Sequence, residues 1–260
     1  MSPQLIVFFF RNCKRIRQTD LTDGGIMKYG LQKLTLLDFP GRVACTVFTP
    51  GCDFRCPFCH NASLVGCGPE DGEMSAEEIL AFLRKREGIL DGVAVTGGEP
   101  LLHEEIFDLL RGVRELGYAV KLDTNGSFPD RLKYAVENGL ADCVAMDIKN
   151  APEKYLQTAG VGNPGLTDKV RESADFLMRG ALPFEFRTTV VKGFHEKEDF
   201  EAIGKWIEGT ERYFLQKFVD SGDILGSVPG MGPVSDGEMR EFLAVVRKYV
   251  PGAQLRGMTE

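Results

Sequence analysis

From Arg42 onward, short apolar runs alternate with stretches whose apolar residues recur every three or four positions. The short runs are rich in Val, Phe or Ile and bounded by Gly, Pro, Asn or Asp, a pattern that predicts strands. They cover residues 43–48, 93–96, 119–123, 143–147, 184–190 and 213–219. The longer stretches predict helices. Ser75 and Glu78 form a capping-box pattern ahead of Ile79, Leu80, Phe82 and Leu83, and such a pair satisfies two exposed N–H groups of a first turn. Ile106, Leu109, Leu110, Val113 and Leu116 form a stripe that stops at Gly117. Further helices cover 132–136, 170–178 and 200–207, ending near Gly139, Gly180 and Gly209. Ser235 and Glu238 repeat the capping pattern before a last helix that runs to about Tyr249.

Strands alternating with helices imply a parallel sheet with helices packed outside it. Six such units are fewer than the eight of a closed barrel. The expected class is therefore α/β, a partial, open (β/α)6 barrel with parallel strands; a doubly wound open sheet is the second reading. Residues 222–233, rich in Gly and Pro, predict an exposed loop. No internal repeat or low-complexity tract interrupts the pattern.

The chain has 260 residues, 43% of them hydrophobic, which suffices for one large domain. That domain is expected over 27–260, with residues 1–26 an extension outside the fold. Residues 5–10 are apolar and 11–17 basic, the reverse of the order in a signal peptide. The apolar run is also far short of the roughly 20 residues of a membrane span. Met27 opens a segment that reads like a natural start. The net charge of −7 disfavours a nucleic-acid partner, which calls for a basic face. Small molecules or proteins are expected instead, with no membrane.

Seven cysteines are present, and three crowd into the eight residues 52–59. A secreted disulfide scaffold is shorter and more evenly laced, so the crowding reads as a metal site in a reducing cytoplasm. The segment is Gly51-Cys52-Asp53-Phe54-Arg55-Cys56-Pro57-Phe58-Cys59-His60-Asn61, directly after the first predicted strand. Thiolates suit iron–sulfur clusters and zinc alike. Three of them can hold three irons of a cubane and leave the fourth iron open to substrate. Structural zinc wants four ligands, usually as two pairs; His60 or Cys67 could complete a set, but no second C-x2-C pair exists. Both metals stay open on spacing alone.

Other chemistry-bearing residues follow the predicted strands, where parallel α/β barrels gather functional groups. Thr96-Gly97-Gly98-Glu99-Pro100 offers two glycines that admit close backbone approach and a carboxylate that can accept from an ammonium. Asp123-Thr124-Asn125-Gly126 and Met146-Asp147-Ile148-Lys149 close the third and fourth strands; Arg187 and Gln216 lie on the fifth and sixth. A plain turn or a surface ion pair also accounts for each. His103 and His195 read as surface loop histidines. Cys45 and Cys143 read as small buried hydrophobes within strands. Cys13 falls in the extension.

The cysteine loop resembles that of the radical S-adenosylmethionine superfamily, particularly the glycyl-radical enzyme activases. Phe58 fills the aromatic place before the third cysteine, and Cys-His-Asn is similar to the pyruvate formate-lyase activating group. The resemblance spans roughly Met27 to the last strand. It implies an oxidoreductase in which Cys52, Cys56 and Cys59 hold a [4Fe-4S] cluster. S-adenosylmethionine would chelate the open iron and, on one-electron reduction, yield a 5′-deoxyadenosyl radical that abstracts hydrogen. Phe58, Gly97, Gly98, Glu99, Asp123, Asp147, Lys149, Arg187 and Gln216 would contact that cofactor, Glu99 through its amino group. Gln216 stands where the pyruvate formate-lyase activases tend to carry a histidine, a departure from the pattern. Asp123, Thr124, Met146 and Asp147 match oxygen ligands of a monovalent cation, the methionine through its carbonyl; a hard cation suits such donors. The opening at 29–41 resembles the longer subtype of activating protein for anaerobic ribonucleoside-triphosphate reductases. The implied partners are a glycyl-radical enzyme, that reductase, and a low-potential electron donor such as flavodoxin or ferredoxin. No further cysteine run is present, so one cluster is expected. The other readings are a radical enzyme acting on a small molecule or peptide and, more distantly, a non-catalytic zinc-binding module.

Overall fold

The computed structural model describes residues 27–67, 71–180, 182–220 and 224–258. The expected extension at 1–26 lies outside them, as do Gly222 and Asp223 of the expected loop. The chain divides into two compact units, the first formed by residues up to Asp53 together with Asn61–Thr124 and Asp130–Val144.

In the first unit, β1 (Lys28–Thr35) runs antiparallel to β2 (Ala44–Thr49). Helix α1 (Ala62–Val65) follows the cysteine loop, and β3 (Met74–Ser75) pairs antiparallel with the start of β1. Ser75 then caps α2 (Ala76–Arg84) with both halves of the predicted capping box in place. β4 (Gly92–Gly97), α3 (Ile106–Glu115) and β5 (Ala119–Thr124) follow, and the chain continues into α4 (Pro129–Glu137). β4 is parallel to both β2 and β5, giving the order β3-β1-β2-β4-β5. Every residue of β2 is buried, as a continuous apolar run within a parallel sheet requires. α3 buries Ile106, Phe107, Leu109, Leu110 and Val113, the predicted stripe less Leu116, with Phe107 added.

The second unit contains Phe54–His60, Asn125–Pro129 and Ala145–Glu260. The chain enters it along β6 (Cys143–Asp147) and continues through α5 (Tyr155–Ala159), α6 (Leu166–Met178), β7 (Phe184–Val190), α7 (Lys197–Trp206), β8 (Tyr213–Lys217), α8 (Asp236–Val246) and β9 (Gln254–Arg256). β8 lies parallel to β7 on one side and to β9 on the other. Alternation along β7 and β8 sorts their faces: Phe186, Thr188, Tyr213 and Leu215 are buried, while Arg187, Phe214 and Gln216 are half-buried. Helix α7 begins three residues earlier than the apolar pattern suggests, because Glu196 and Asp199 form a capping box.

The class is the expected one, α/β with parallel strands in a sheet that is open. Strands β1, β3 and β9 add to the six that were predicted. Among the described residues no helix is long and apolar enough to cross a membrane.

Candidate functional site

In the first unit the ends of β2 and β4 meet main chain to main chain. Thr49 lies opposite Gly97 in the parallel register. Gly98 N–H donates to the Thr49 carbonyl at 2.9 Å, and Glu99 N–H to the Gly51 carbonyl at 2.9 Å. Gly97 has φ of +123°, a conformation that favours glycine. A Cβ added to Gly98 would lie 1.8 Å from the Gly51 carbonyl oxygen. The glycine pair thus holds the residue directly before Cys52. Asn61, two residues beyond Cys59, donates from Nδ2 to the Gly97 carbonyl at 2.9 Å.

Glu99 is fully buried. Its Oε1 accepts from the Leu101 N–H at 3.0 Å and the Thr124 hydroxyl at 2.8 Å. Sequence reading had placed Glu99 and Thr124 in separate roles; here they share a hydrogen bond. Asp123 forms an ion pair with Lys121, two positions back on the same face of β5. His103 is buried, not on the surface as expected. It lies under the loop start: a Cβ on Gly51 would stand 3.3 Å from its Nε2. Burial holds its pKa below the usual histidine value. Cys45 is fully buried and Cys143 packs against Phe39, Ala44 and Ala119, both as small hydrophobes.

In the second unit, Cys59 N–H donates to the Cys56 carbonyl at 3.1 Å, closing the turn between them. The loop is tethered on both flanks: Arg55 N–H donates to Ala159, and Gly226 N–H to Pro57. Cys56 is buried, and burial pushes its thiol up to about 12 despite the opposing pull of Lys149. Phe58 is buried edge-on against Phe194, ring centres 5.3 Å apart, and against His195 at 6.5 Å. His60 stacks on Phe218 at 5.2 Å, and its Nε2 lies 2.7 Å from the Val219 carbonyl.

The end of β6 carries the main charge cluster. Asp147 accepts from Lys149 Nζ at 2.8 Å through one oxygen and from Arg187 Nε at 2.9 Å through the other. Burial alone would raise the Asp147 carboxyl, but Arg187 and then Lys149 outweigh it and hold it well below the usual carboxylate range. Burial would lower the Lys149 ammonium; Asp147 outweighs it and holds the ammonium above the usual lysine range. Arg187, expected to contact the cofactor, is paired with Asp147 here. Met146 is fully buried, and Gly126 packs onto it so closely that a Cβ would lie 2.2 Å from its Cε. Gln216 sits on β8 between Thr189 and Arg256 in register.

Three groups escaped sequence reading. Arg256 on β9 makes a two-point pair with Glu185 at 2.8 and 2.9 Å and lies over the Phe214 ring. β9 is three residues long, too short for any periodic signal. Tyr155 is fully buried, its hydroxyl between the Asp147 carbonyl and the Lys149 N–H at 3.3 Å each. His195 is buried, not a surface histidine, with Nε2 on the Lys149 carbonyl at 2.8 Å. The spacing of Glu185 and Arg187, two apart on one strand face, was a signal for the first group.

Cys52, Cys56 and Cys59 are thiols rather than disulfides, the soft donors an iron–sulfur cluster takes. Among the described residues no three His, Cys, Asp or Glu side chains converge as ligands of one metal ion.

A family model described as the radical SAM superfamily matches residues 46–207. A protein of Methanocaldococcus jannaschii, provisionally described as a glycyl-radical enzyme activating enzyme, is 28% identical over 233 residues, covering 87% of this chain and 94% of that protein. The pyruvate formate-lyase-activating enzyme of Clostridium pasteurianum is 31% identical over 150 residues, covering 54% of this chain and 60% of the enzyme. The crystal structure of Streptococcus suis SuiB bound to precursor peptide SuiA matches with a TM-score of 0.62 at 16% identity. That match covers 80% of this chain and 47% of SuiB, so this chain spans about half of SuiB's length. At such identity the likeness concerns the fold alone.

Proposed function

We propose that this chain, which belongs to the radical S-adenosylmethionine superfamily, is an activating enzyme that places a radical on a glycine of a glycyl-radical enzyme. The observation that carries the reading is the loop bearing Cys52, Cys56 and Cys59, locked at its start onto Gly97–Glu99. The Methanocaldococcus relative, matched along 87% of this chain, supports the activating role. The resemblance at 29–41 supports an anaerobic ribonucleoside-triphosphate reductase as the partner. Flavodoxin or ferredoxin is proposed as electron donor, and the cytoplasm as the reducing compartment that keeps the thiols available.

When bound, a [4Fe-4S] cluster and S-adenosylmethionine supply one-electron cleavage of a carbon–sulfur bond and hydrogen abstraction. Cys52, Cys56 and Cys59 would hold the cluster through three of its irons. Gly97 and Gly98 keep side chains off the loop start, and Glu99 would accept from the amino group of the methionine moiety. Lys149 and Arg187, already aligned on Asp147, would orient the carboxylate, since charge-assisted hydrogen bonds fix direction as well as charge. Phe58, Asp123 and Gln216 would border the same cofactor. Asp123, Thr124, Met146 and Asp147 are further proposed as oxygen donors to a monovalent cation. Such an ion would have to compete with Lys121 at Asp123 and with Lys149 and Arg187 at Asp147.

The test is anaerobic. Protein reconstituted with iron and sulfide is mixed with S-adenosylmethionine, a reductant and an anaerobic ribonucleotide reductase, and glycyl radical is sought by electron paramagnetic resonance. A glycyl signal with cofactor cleavage supports the proposal. Cleavage without a glycyl signal on any glycyl-radical enzyme refutes the activating role. A colourless protein retaining tightly bound zinc refutes the cluster.

A further inference from the structure

The backbone of Asp147-Ile148-Lys149 is tied at nearly every polar group. The Tyr155 hydroxyl donates to the Asp147 carbonyl and accepts from the Lys149 N–H. Ile148 N–H donates to the Arg187 carbonyl at 2.8 Å, and the Ile148 carbonyl accepts from the Thr188 hydroxyl at 2.6 Å. Thr188 is itself held by the Tyr213 hydroxyl at 2.6 Å. The last carbonyl, that of Lys149, accepts from His195 Nε2 at 2.8 Å. His195 Nδ1 accepts from the Val191 N–H at 3.1 Å. A neutral ring meets both demands only with its proton on Nε2. Burial, the main influence, holds this histidine below its usual pKa and so keeps the ring neutral. The same ring touches Phe58 of the cysteine loop on one side and Phe200 of α7 on the other.

We propose that His195 is a positioning residue for Lys149, fixing the lysine's main chain through its Nε2–H. This rests on the reading of Lys149 as a cofactor contact. The ammonium of Lys149 stands at the end of four rotatable bonds, and its aim is only as good as its anchor. Asp147 holds the tip, Tyr155 the N–H and His195 the carbonyl. Loss of one of these three anchors, a hydrogen bond worth up to about 1.5 kcal/mol, is expected to weaken ligand affinity by up to about tenfold.

Two substitutions separate positioning from bulk structure. His195→Asn keeps an acceptor near Val191 but cannot reach Lys149. His195→Gln can reach Lys149 with an N–H donor near the place of Nε2. In cofactor-free protein, amide hydrogen exchange at 148–151 is expected to quicken about tenfold in His195→Asn and to return toward wild type in His195→Gln. After reconstitution, cluster absorbance stays at wild type, while the dissociation constant for S-adenosylmethionine rises about tenfold in the Asn variant and is restored in the Gln variant. Equal loss in both variants, or wild-type exchange and affinity in His195→Asn, overturns the inference. Should His195→Asn fail to fold, His195→Phe, which keeps a ring in the same place but has no N–H for the Lys149 carbonyl, is expected to raise exchange and weaken binding alike; no change in either overturns the inference. Wild-type protein that binds no S-adenosylmethionine refutes the proposed function itself, whereas the exchange readout in cofactor-free protein still decides the role of His195.

Discussion

Replacing Asp147 by Asn isolates the charge cluster at the end of β6. The change keeps the shape and removes the negative charge that Lys149 and Arg187 share. The new amide can accept one hydrogen bond, but its NH2 must then face the other cation. Removing one partner of a fully buried ion pair costs about 3–5 kcal/mol. The Asp147 side chain is 30% exposed, against 18% for Lys149 and 14% for Arg187, so water screens part of that loss. A destabilisation of about 2–3 kcal/mol follows for the cofactor-free protein. Urea denaturation at pH 7 measures it as a lowered midpoint with an unchanged slope. The pH dependence supplies a second reading. The folded-state pKa of Asp147 lies below its unfolded value, near 3.9 for an unperturbed Asp. Its stabilisation is therefore fully present above about pH 5, begins to fall below about pH 4 and is lost only as pH passes through the lowered folded-state pKa. The gap between wild type and Asp147→Asn should stay level from pH 5 to 8 and narrow by about 1 kcal/mol on reaching pH 3. A gap under about 0.5 kcal/mol at pH 7, below the ordinary worth of one hydrogen bond, would refute the reasoning, as would a gap that persists undiminished at pH 3.

Gly98→Ala should be among the most damaging small substitutions, because its Cβ would fall 1.8 Å from the Gly51 carbonyl oxygen and break the adjoining main-chain contact. Thermal or urea unfolding is expected to show a loss of about 2–4 kcal/mol from overpacking and the lost hydrogen bond; a loss near zero would mean the loop yields freely. Ser75→Ala removes the side-chain half of the α2 capping box and should cost about 1 kcal/mol by the same measurement. Cys52→Ala, Cys56→Ala and Cys59→Ala should each abolish cofactor cleavage after reconstitution, and cleavage surviving in any of them would remove that residue from the ligand set. Replacing sodium and potassium by a bulky organic cation should weaken S-adenosylmethionine binding if the proposed cation site is used; unchanged affinity would dismiss it.

How far the sequence predicted this molecule varies with the physics of each element. The buried strands were legible because runs such as Ala44–Thr49 and Cys143–Asp147 carry apolar signal over most of their length. Both Ser-x-x-Glu caps were legible because the residue types themselves make the hydrogen bonds. β1 was not: its eight residues KYGLQKLT include a glycine and two lysines, and its stability comes from pairing with β2 and β3. The early start of α7 was hidden because Glu196 caps it in place of the commoner Ser or Thr. At the site, residue types pointed to the cysteines, the double glycine and the Asp-x-Lys of β6. They could not show that Glu99 is joined to Thr124, or that Arg187 meets Asp147 forty positions back. His103 and His195 were misplaced on the surface because a lone histidine in a loop carries no periodic signal, while long-range packing buries both. Those links depend on which strands become neighbours, information that local patterns do not carry.

The contact between Gly98 and Gly51 has a consequence for how such a protein can change over generations. It is made of peptide groups alone, with no side chain on either part. Neither glycine has a side chain to swap, enlarge or recharge, and change can reach the joint only through neighbours such as His103. The start of the cysteine loop is therefore set by a joint that point mutation can break but hardly adjust. Gradual variation has to work on other parts, where side chains such as Phe58, Arg187 and Gln216 can be exchanged one at a time. A fold arranged in this way separates what is inherited whole from what can be explored, and it does so at one pair of glycines.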